Sequence, residues 1–202
     1  MKHFVKWSLL AGLLAATAWA TTLLALDVPG LTRMSDAVVR GTVVRVEPRL
    51  SGDGARIMTD AEIQVSEVLK GAPGPVAIAM QPGGEVGDVG QRVDGVARFT
   101  VGEEVVAFLE ARGGRWLVTG MVQGKFRVER SSDGRAAFVR ADSAGDSVLL
   151  DPVTHQPVSR PAPVMTLDEL RAQVKAALPP ATQPPLTPGP TPVTPTPRQA
   201  VP

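Results

Sequence analysis

The chain has 202 residues, a formal net charge of +1, and neither cysteine nor tyrosine. The lack of cysteine excludes disulfides, thiolate metal sites, thiol nucleophiles and a lipid-modified cysteine. The near-neutral charge argues against long-range attraction to nucleic acid or to anionic membranes. The low aromatic content of 4% argues against stacking platforms for bases or sugars.

The first residues have the organisation of a secretion signal. Lys2 and Lys6 precede an apolar run that reaches Ala18-Trp19-Ala20, a triplet with small residues at its first and third places. This order of basic, apolar and cleavage-site regions predicts a signal peptide, residues 1–20, that is removed after Ala20. We therefore expect an exported protein, either periplasmic or extracellular.

An uncleaved anchor is the alternative for the same segment. The apolar stretch continues past Ala20 to Leu26, and about 20 apolar residues suffice to span a bilayer as a helix. The two early lysines would keep the start of the chain in the cytoplasm and the remainder outside it. A membrane contact is expected only if the signal stays uncleaved.

After a lead-in, residues 21–35, the chain to residue 150 has the pattern of a β domain. β-Branched residues alternate with polar ones, and turn residues such as Gly113-Gly114 fill the gaps. No helical pattern separates the strands, so the domain of residues 36–150 is predicted as a small barrel or sandwich. The predicted strands are Ala37–Glu47, Ala61–Leu69, Val76–Met80, Glu104–Leu109, Trp116–Val122, Lys125–Arg130 and, at an edge, Ala137–Arg140.

A proline-rich connector, residues 151–165, leads to a predicted helix over residues 166–178. Thr166 and Glu169 have the spacing of a capping box. Apolar residues recur on one face of this helix, which predicts packing on the domain core, with a partner-binding helix as the alternative. That apolar face comprises Leu167, Leu170, Val174 and Leu178.

Proline and threonine dominate residues 179–202. Proline removes backbone donors and fixes φ, and few apolar side chains remain to offset the ordering entropy. The composition predicts a disordered, extended tail that serves as a solvated spacer. The alternative is a ligand for a proline-binding module or a contact to the cell wall.

Several predicted strands resemble a known barrel family. They are Asp36–Gly41, Val68–Gly71, Gly102–Leu109 and Gly124–Phe126. Their order resembles the OB-like barrel of the tissue-inhibitor-of-metalloproteinase and netrin-module group. It is also similar to uncharacterised exported bacterial proteins that share the Pro-Gly-Gly loop.

The resemblance covers about Asp36 to Arg130. It implies a mainly β fold, a small OB-like closed or partly open barrel with a C-terminal helix, and a function in protein binding. The inhibitors of that group use cysteines that this chain lacks, so no inhibitory residue is carried over.

The glycine-rich segment from Pro82 to Gly95 is predicted as a long folded loop that closes one end of the barrel. It is also the candidate partner-binding loop, because loops on a rigid barrel commonly carry binding. A phosphate cradle would need a following Gly-Lys-Ser/Thr or a helix start, and neither is present. Its acids do not have the spacing of an EF-hand calcium loop. The candidate contact residues are Glu85, Val86, Asp88, Val89, Arg92 and Asp94.

Other chemistry has little support in the sequence. His155 is the single histidine beyond the signal, which is too few for a zinc site. No Gly-x-Ser-x-Gly motif is present to supply a serine nucleophile. The acid pair Glu103-Glu104 lacks the aromatic groove lining that glycoside hydrolysis favours. We therefore expect no enzyme activity, no cofactor and no metal. The prediction is an exported non-catalytic protein-binding module that does not bind nucleic acid. The alternative is a cell-envelope structural protein held by its anchor or tail.

Overall fold

The computed structural model describes residues 21–144, 147–159 and 162–179. The predicted signal peptide and nearly all of the predicted Pro/Thr-rich tail lie outside these described residues. The strands are β1 (Thr22–Leu24), β2 (Ala37–Leu50), β3 (Ile57–Lys70), β4 (Val76–Pro82), β5 (Gly84–Val86), β6 (Val89–Gln91), β7 (Glu104–Arg112), β8 (Arg115–Val118), β9 (Lys125–Arg130), β10 (Ala137–Ala141), β11 (Val148–Leu150) and β12 (Val164–Thr166). The helices are α1 (Val28–Met34) and α2 (Leu167–Ala177), and a 3-10 turn spans Met121–Gly124. Within the described ranges, neither helix is long and apolar enough to cross a membrane.

Five strands close into a ring. The order is β2, β3, β4, β8, β7 and back to β2, and every pair is antiparallel except β4 with β8. Numbered by their order in the chain, these strands follow the sequence 1-2-3-5-4-1 around the ring, which is the connectivity of the OB barrel. The predicted mainly β, OB-like barrel with a C-terminal helix is confirmed.

The sheet continues beyond the ring. β7 also pairs with β9, which is followed by β10 and then β12. The edge position predicted for residues 137–140 is wrong, because Val164–Thr166 pairs with Phe138–Arg140 and takes the edge itself. A separate parallel pair joins β1 to β11.

Two hydrophobic cores lie on opposite faces of β2 and β7. In β7, Val105, Ala107 and Leu109 point into the barrel, and the side chains between them point towards the helices. Burial on both faces explains why this strand is an unbroken apolar run without alternation. The outer core is formed by Val28, Leu31, Val38, Val106, Phe108, Phe126, Val128, Val139, Ala141, Leu167, Leu170 and Val174.

β2 is irregular along its pairing with β3. Its pairing with β3 changes register at three places, the last between Val43 and Arg45. A Cβ atom on Gly41 would overlap the carbonyl oxygen of Gln64, so only glycine permits the close approach of β3 here. These irregularities curve the strand, as barrel closure requires.

The strand predicted over Trp116–Val122 ends early. Gly120 has φ +63° and Met121 has φ +59°, both in the left-handed region that a strand cannot contain. The chain therefore leaves β8 at Val118 and forms the 3-10 turn before β9 begins.

No helix is predicted from the sequence in residues 21–35, yet α1 lies there. The Asp27 side chain accepts a hydrogen bond of 2.7 Å from the backbone N–H of Gly30, and Pro29 lies in the first turn. Both are start signals for a helix. With seven residues α1 is too short to show a periodic pattern, and burial of Val28 and Leu31 holds it in place.

The capping box of α2 is confirmed. The Thr166 hydroxyl accepts from the N–H of Glu169 at 3.2 Å, and the Glu169 carboxylate accepts from the N–H of Thr166 at 2.7 Å. Leu167, Leu170 and Val174 are buried in the outer core. The apolar face of this helix therefore packs on the domain.

An ion-pair chain ties α2 to the sheet. Arg171 donates to both carboxylate oxygens of Glu67 at 2.9 and 2.6 Å, and Glu67 also lies 3.4 Å from Arg40. Arg40 pairs in turn with Glu104, which accepts from Arg130 at 2.9 Å. The hydrogen bonds from Arg171 hold the pKa of the Glu67 carboxyl below its ordinary value.

Leu170→Asp should lower the free energy of unfolding by about 2–4 kcal/mol, because it forces a carboxylate into a fully buried apolar position. Chemical denaturation measures this. Ala172→Asp on the exposed face of the same helix is the matched control and should change little. Unchanged stability of Leu170→Asp would show that the helix does not pack as described.

Glu67→Gln should lower stability by about 1–2 kcal/mol at neutral pH, because it removes a charge-assisted bidentate contact. The lowered pKa means that wild-type Glu67 stabilises fully above its ordinary pKa of 4.5, and that this contribution is lost as pH falls through the lower pKa of the folded state. Urea denaturation from pH 7 to pH 3 should show the two proteins converging. A difference that stays constant over that range would contradict the ion-pair account.

Candidate functional site

The glycine-rich segment forms a hairpin rather than a continuous loop. β5 and β6 pair antiparallel through Gly84↔Gln91, Glu85↔Gly90 and Val86↔Val89, with residues 87–88 at the turn. Val86 and Val89 therefore stand side by side at the tip. We call residues 84–91 the barrel-end hairpin.

The hairpin is fixed to the ends of β2 and β3. The N–H of Gly83 donates to the Ile57 carbonyl at 2.7 Å, and the Thr59 hydroxyl donates to the Gly83 carbonyl at 2.7 Å. The Gln91 side chain accepts from the N–H of Ile57 at 2.8 Å. Gly84 has φ +133°, and a Cβ there would lie 2.5 Å from the Thr59 hydroxyl. Glycine is thus required at positions 83 and 84 by the docking.

The six predicted contact residues divide into two groups. Glu85, Asp88 and Val89 are exposed on the hairpin, where Val89 is 64% exposed, and Val86 is half-buried. Arg92 and Asp94 follow the hairpin and are both exposed. Their side chains form an ion pair of 3.0 Å with each other.

A groove of about 770 Å³ lies between the hairpin and the barrel end. We call it the barrel-end groove. Glu85 and Arg92 line it, whereas the other four predicted residues do not. Its walls are Val46, Pro48 and Thr59, then residues 81–85 and 90–93, and on the far side residues 96–99.

Gln81 lies in the wall of the barrel-end groove and is 6% exposed. It follows Ala77 and Ala79 on the inward face of β4. Its side-chain N–H₂ group is buried and has no hydrogen-bond partner among the residues that the structure describes. Since nearly all buried polar groups in proteins are satisfied, this one is a candidate ligand donor.

Gln81 was not among the residues predicted from the sequence. The signal that could have revealed it is the alternation of Val76–Pro82, which places a polar residue at an inward position. Only the fold shows that the amide lacks a partner.

A buried lysine supports the far wall of the groove. Lys125 is fully buried, and its ammonium lies 2.9 Å from Glu103 and 3.0 Å from Asp142. It also donates to the Arg98 carbonyl and lies 5.2 Å from the centre of the Phe99 ring. These contacts hold residues 98–103 against β9, and a buried cation needs this degree of pairing.

The acids considered for hydrolytic chemistry are both engaged in ion pairs. Glu103 binds Lys125, while Arg127 lies 3.2 Å from its second oxygen without hydrogen-bond alignment. Glu104 pairs with Arg40 and Arg130.

Metal ligands do not converge in the described part of the chain. No group of three or more His, Asp or Glu side chains lies close enough there to hold a metal ion. In particular, Glu85, Asp88 and Asp94 do not come together. His155 is exposed in a turn, where its φ is +54°.

Gly84→Val should lower stability by about 2–4 kcal/mol, because a side chain there meets Thr59 and Pro48 and the backbone lies in a region that valine avoids. Thermal denaturation measures the loss. Gly90→Ala is the matched control, since its Cβ would have ordinary contacts only. A wild-type melting temperature for Gly84→Val would mean that the hairpin is not docked.

No protein-family model matches this chain, and no curated protein matches it significantly. The resemblance to the metalloproteinase-inhibitor and netrin-module group stays a prediction.

Proposed function

We propose that this chain is an exported, non-catalytic module that binds a protein partner with the barrel-end groove and the tip of the barrel-end hairpin. The single observation that carries the proposal is the buried, unpartnered amide of Gln81 beside an open groove. A buried donor without an acceptor is unfavourable by about 1–3 kcal/mol, and a ligand acceptor would remove that penalty.

The hairpin supplies a surface of the composition that protein interfaces use. Val86 and Val89 form a small apolar centre, with Glu85 and Asp88 as a polar rim. The hydrogen bonds of Gly83 and Gln91 to β3 fix the base of the hairpin, which limits the entropy lost on binding.

The outer face of the barrel strands does not favour nucleic acid. Asp60 accepts from Arg49 at 2.8 Å and from Arg115 at 3.2 Å. Arg45 likewise pairs with Glu47 and Glu62. Three positive and three negative side chains therefore offset one another, whereas nucleic-acid binding needs an unbalanced positive surface.

The export part of the proposal rests on residues 1–20. A periplasmic or extracellular location follows if the signal is cleaved, and a membrane-tethered form follows if it is kept. In either case the described domain would meet its partner outside the cytoplasm.

Val86→Asp with Val89→Asp should stay within about 1 kcal/mol of wild-type stability, because neither side chain belongs to a core cluster. The double variant should nevertheless lose partner binding at least tenfold, since it puts two charges into the apolar centre. The partner is captured from envelope extract, identified by mass spectrometry and purified as a recombinant protein. Its affinity for each variant is then measured by calorimetry.

Val153→Asp with Val164→Asp is the matched control. It adds the same charge at two valines that are 83% and 50% exposed and lie outside the hairpin. It should bind as wild type does. If the hairpin double variant folds and binds a purified partner at wild-type strength, the proposed surface is wrong.

A further inference from the structure

We infer that the barrel-end groove takes an extended acidic segment of its partner, with an oxygen acceptor placed on the Gln81 amide and a carboxylate on Arg98. This inference rests on the proposed function and names the chemistry of the partner. Three independent features of the groove lead to it.

The first feature is the donor in the groove wall. Gln81 offers a buried N–H₂ group without a partner, so the complementary atom is a carbonyl or carboxylate oxygen. A polypeptide backbone presents one carbonyl per residue, which makes such an acceptor available wherever a chain crosses the groove.

The second feature is the shape of the wall. On the hairpin side the groove is lined by Gly90, which is exposed, and by Gly83 and Gly84, which are packed against Gln91 and Thr59. Opposite them stand Val96 and Phe99, both half-buried. A narrow extended chain can approach the backbone at Gly90 and direct alternate side chains towards the apolar wall.

The third feature is charge. The groove-lining side chains include two guanidiniums, Arg92 and Arg98, and one carboxylate, Glu85. Arg92 is paired with Asp94, whereas no described carboxylate lies within ion-pair distance of Arg98. Arginine favours carboxylate partners because its planar fork matches them.

One unpaired arginine favours a carboxylate over a nucleic-acid backbone. Binding to nucleic acid normally engages several phosphates at once. A single carboxylate beside apolar side chains is a better match to the groove, and Lys125 contributes nothing to the ligand because Glu103 and Asp142 neutralise it.

The test is selection of a displayed random-heptapeptide library on the purified domain, followed by fluorescence anisotropy with synthetic copies of the enriched peptides. We expect enrichment of Asp or Glu at a fixed position. Arg98→Glu should weaken binding of these peptides about tenfold or more, and should select basic residues instead. Arg33→Glu, an exposed arginine on α1 without an ion pair among the described residues, is the charge-matched control and should bind as wild type does.

Gln81→Leu separates function from folding. Removal of an unsatisfied buried amide should leave the melting temperature equal or higher, while peptide binding should fall about tenfold. A lower melting temperature with unchanged binding would show that Gln81 is structural, which overturns its assigned role.

Other outcomes are equally decisive. Peptides without an acidic preference whose binding is lost on Gln81→Leu, a change in the groove wall, would overturn the charge assignment and leave the proposed function standing. If no peptide is enriched, the inference that the groove takes a linear segment is wrong. Capture of a folded partner from envelope extract then remains the test of the proposed function. Tight binding of a fluorescent dT15 oligonucleotide that Arg98→Glu abolishes would replace the peptide with a polyanion.

Discussion

The parallel pairing of β8 with β4 is the contact on which the rest of the structure depends. It joins Ala79 to Trp116 and Met80 to Leu117, and it is what turns a five-stranded sheet into a ring. Without it, β4 would be an open edge, and the inward alanines of that strand would face water. The pairing reaches Met80, one residue before Gln81, so it also holds the wall of the barrel-end groove.

Strands β2 and β7 belong to the ring, and their outer faces are covered by the helices, so both strands are shared by two cores. The interior core fills the barrel with small residues such as Ala61, Ala77 and Ala107, and the outer core packs α1 and α2 against the opposite face. Small inward side chains suit a barrel of only five strands, whose lumen is narrow. The ion pair of Arg171 with Glu67 then fixes the last helix to the sheet.

The seven strands of four or more residues and helix α2 were predictable from the sequence, because β-branched runs, turn glycines and the capping box act locally. The three-residue strands β1, β5, β6, β11 and β12 were not predicted, because so short a segment has no recognisable alternation. The pairing of β4 with β8 could not be predicted, because no local pattern specifies which distant strands meet. α1 was missed because seven residues are too few for periodicity. For the candidate site, the unusual glycines marked the segment that forms the barrel-end hairpin. The φ of +133° at Gly84 and the unsatisfied amide of Gln81 become visible only once the chain is folded.

Nuclear magnetic resonance of the isotope-labelled domain tests the ring closure most directly. The account predicts cross-strand Overhauser contacts between the backbone protons of Ala79–Met80 and those of Trp116–Leu117, together with slow exchange of the amides in β4 and β8. Absence of these contacts, with amides of β8 that exchange as fast as those of the exposed turns, would contradict a closed barrel.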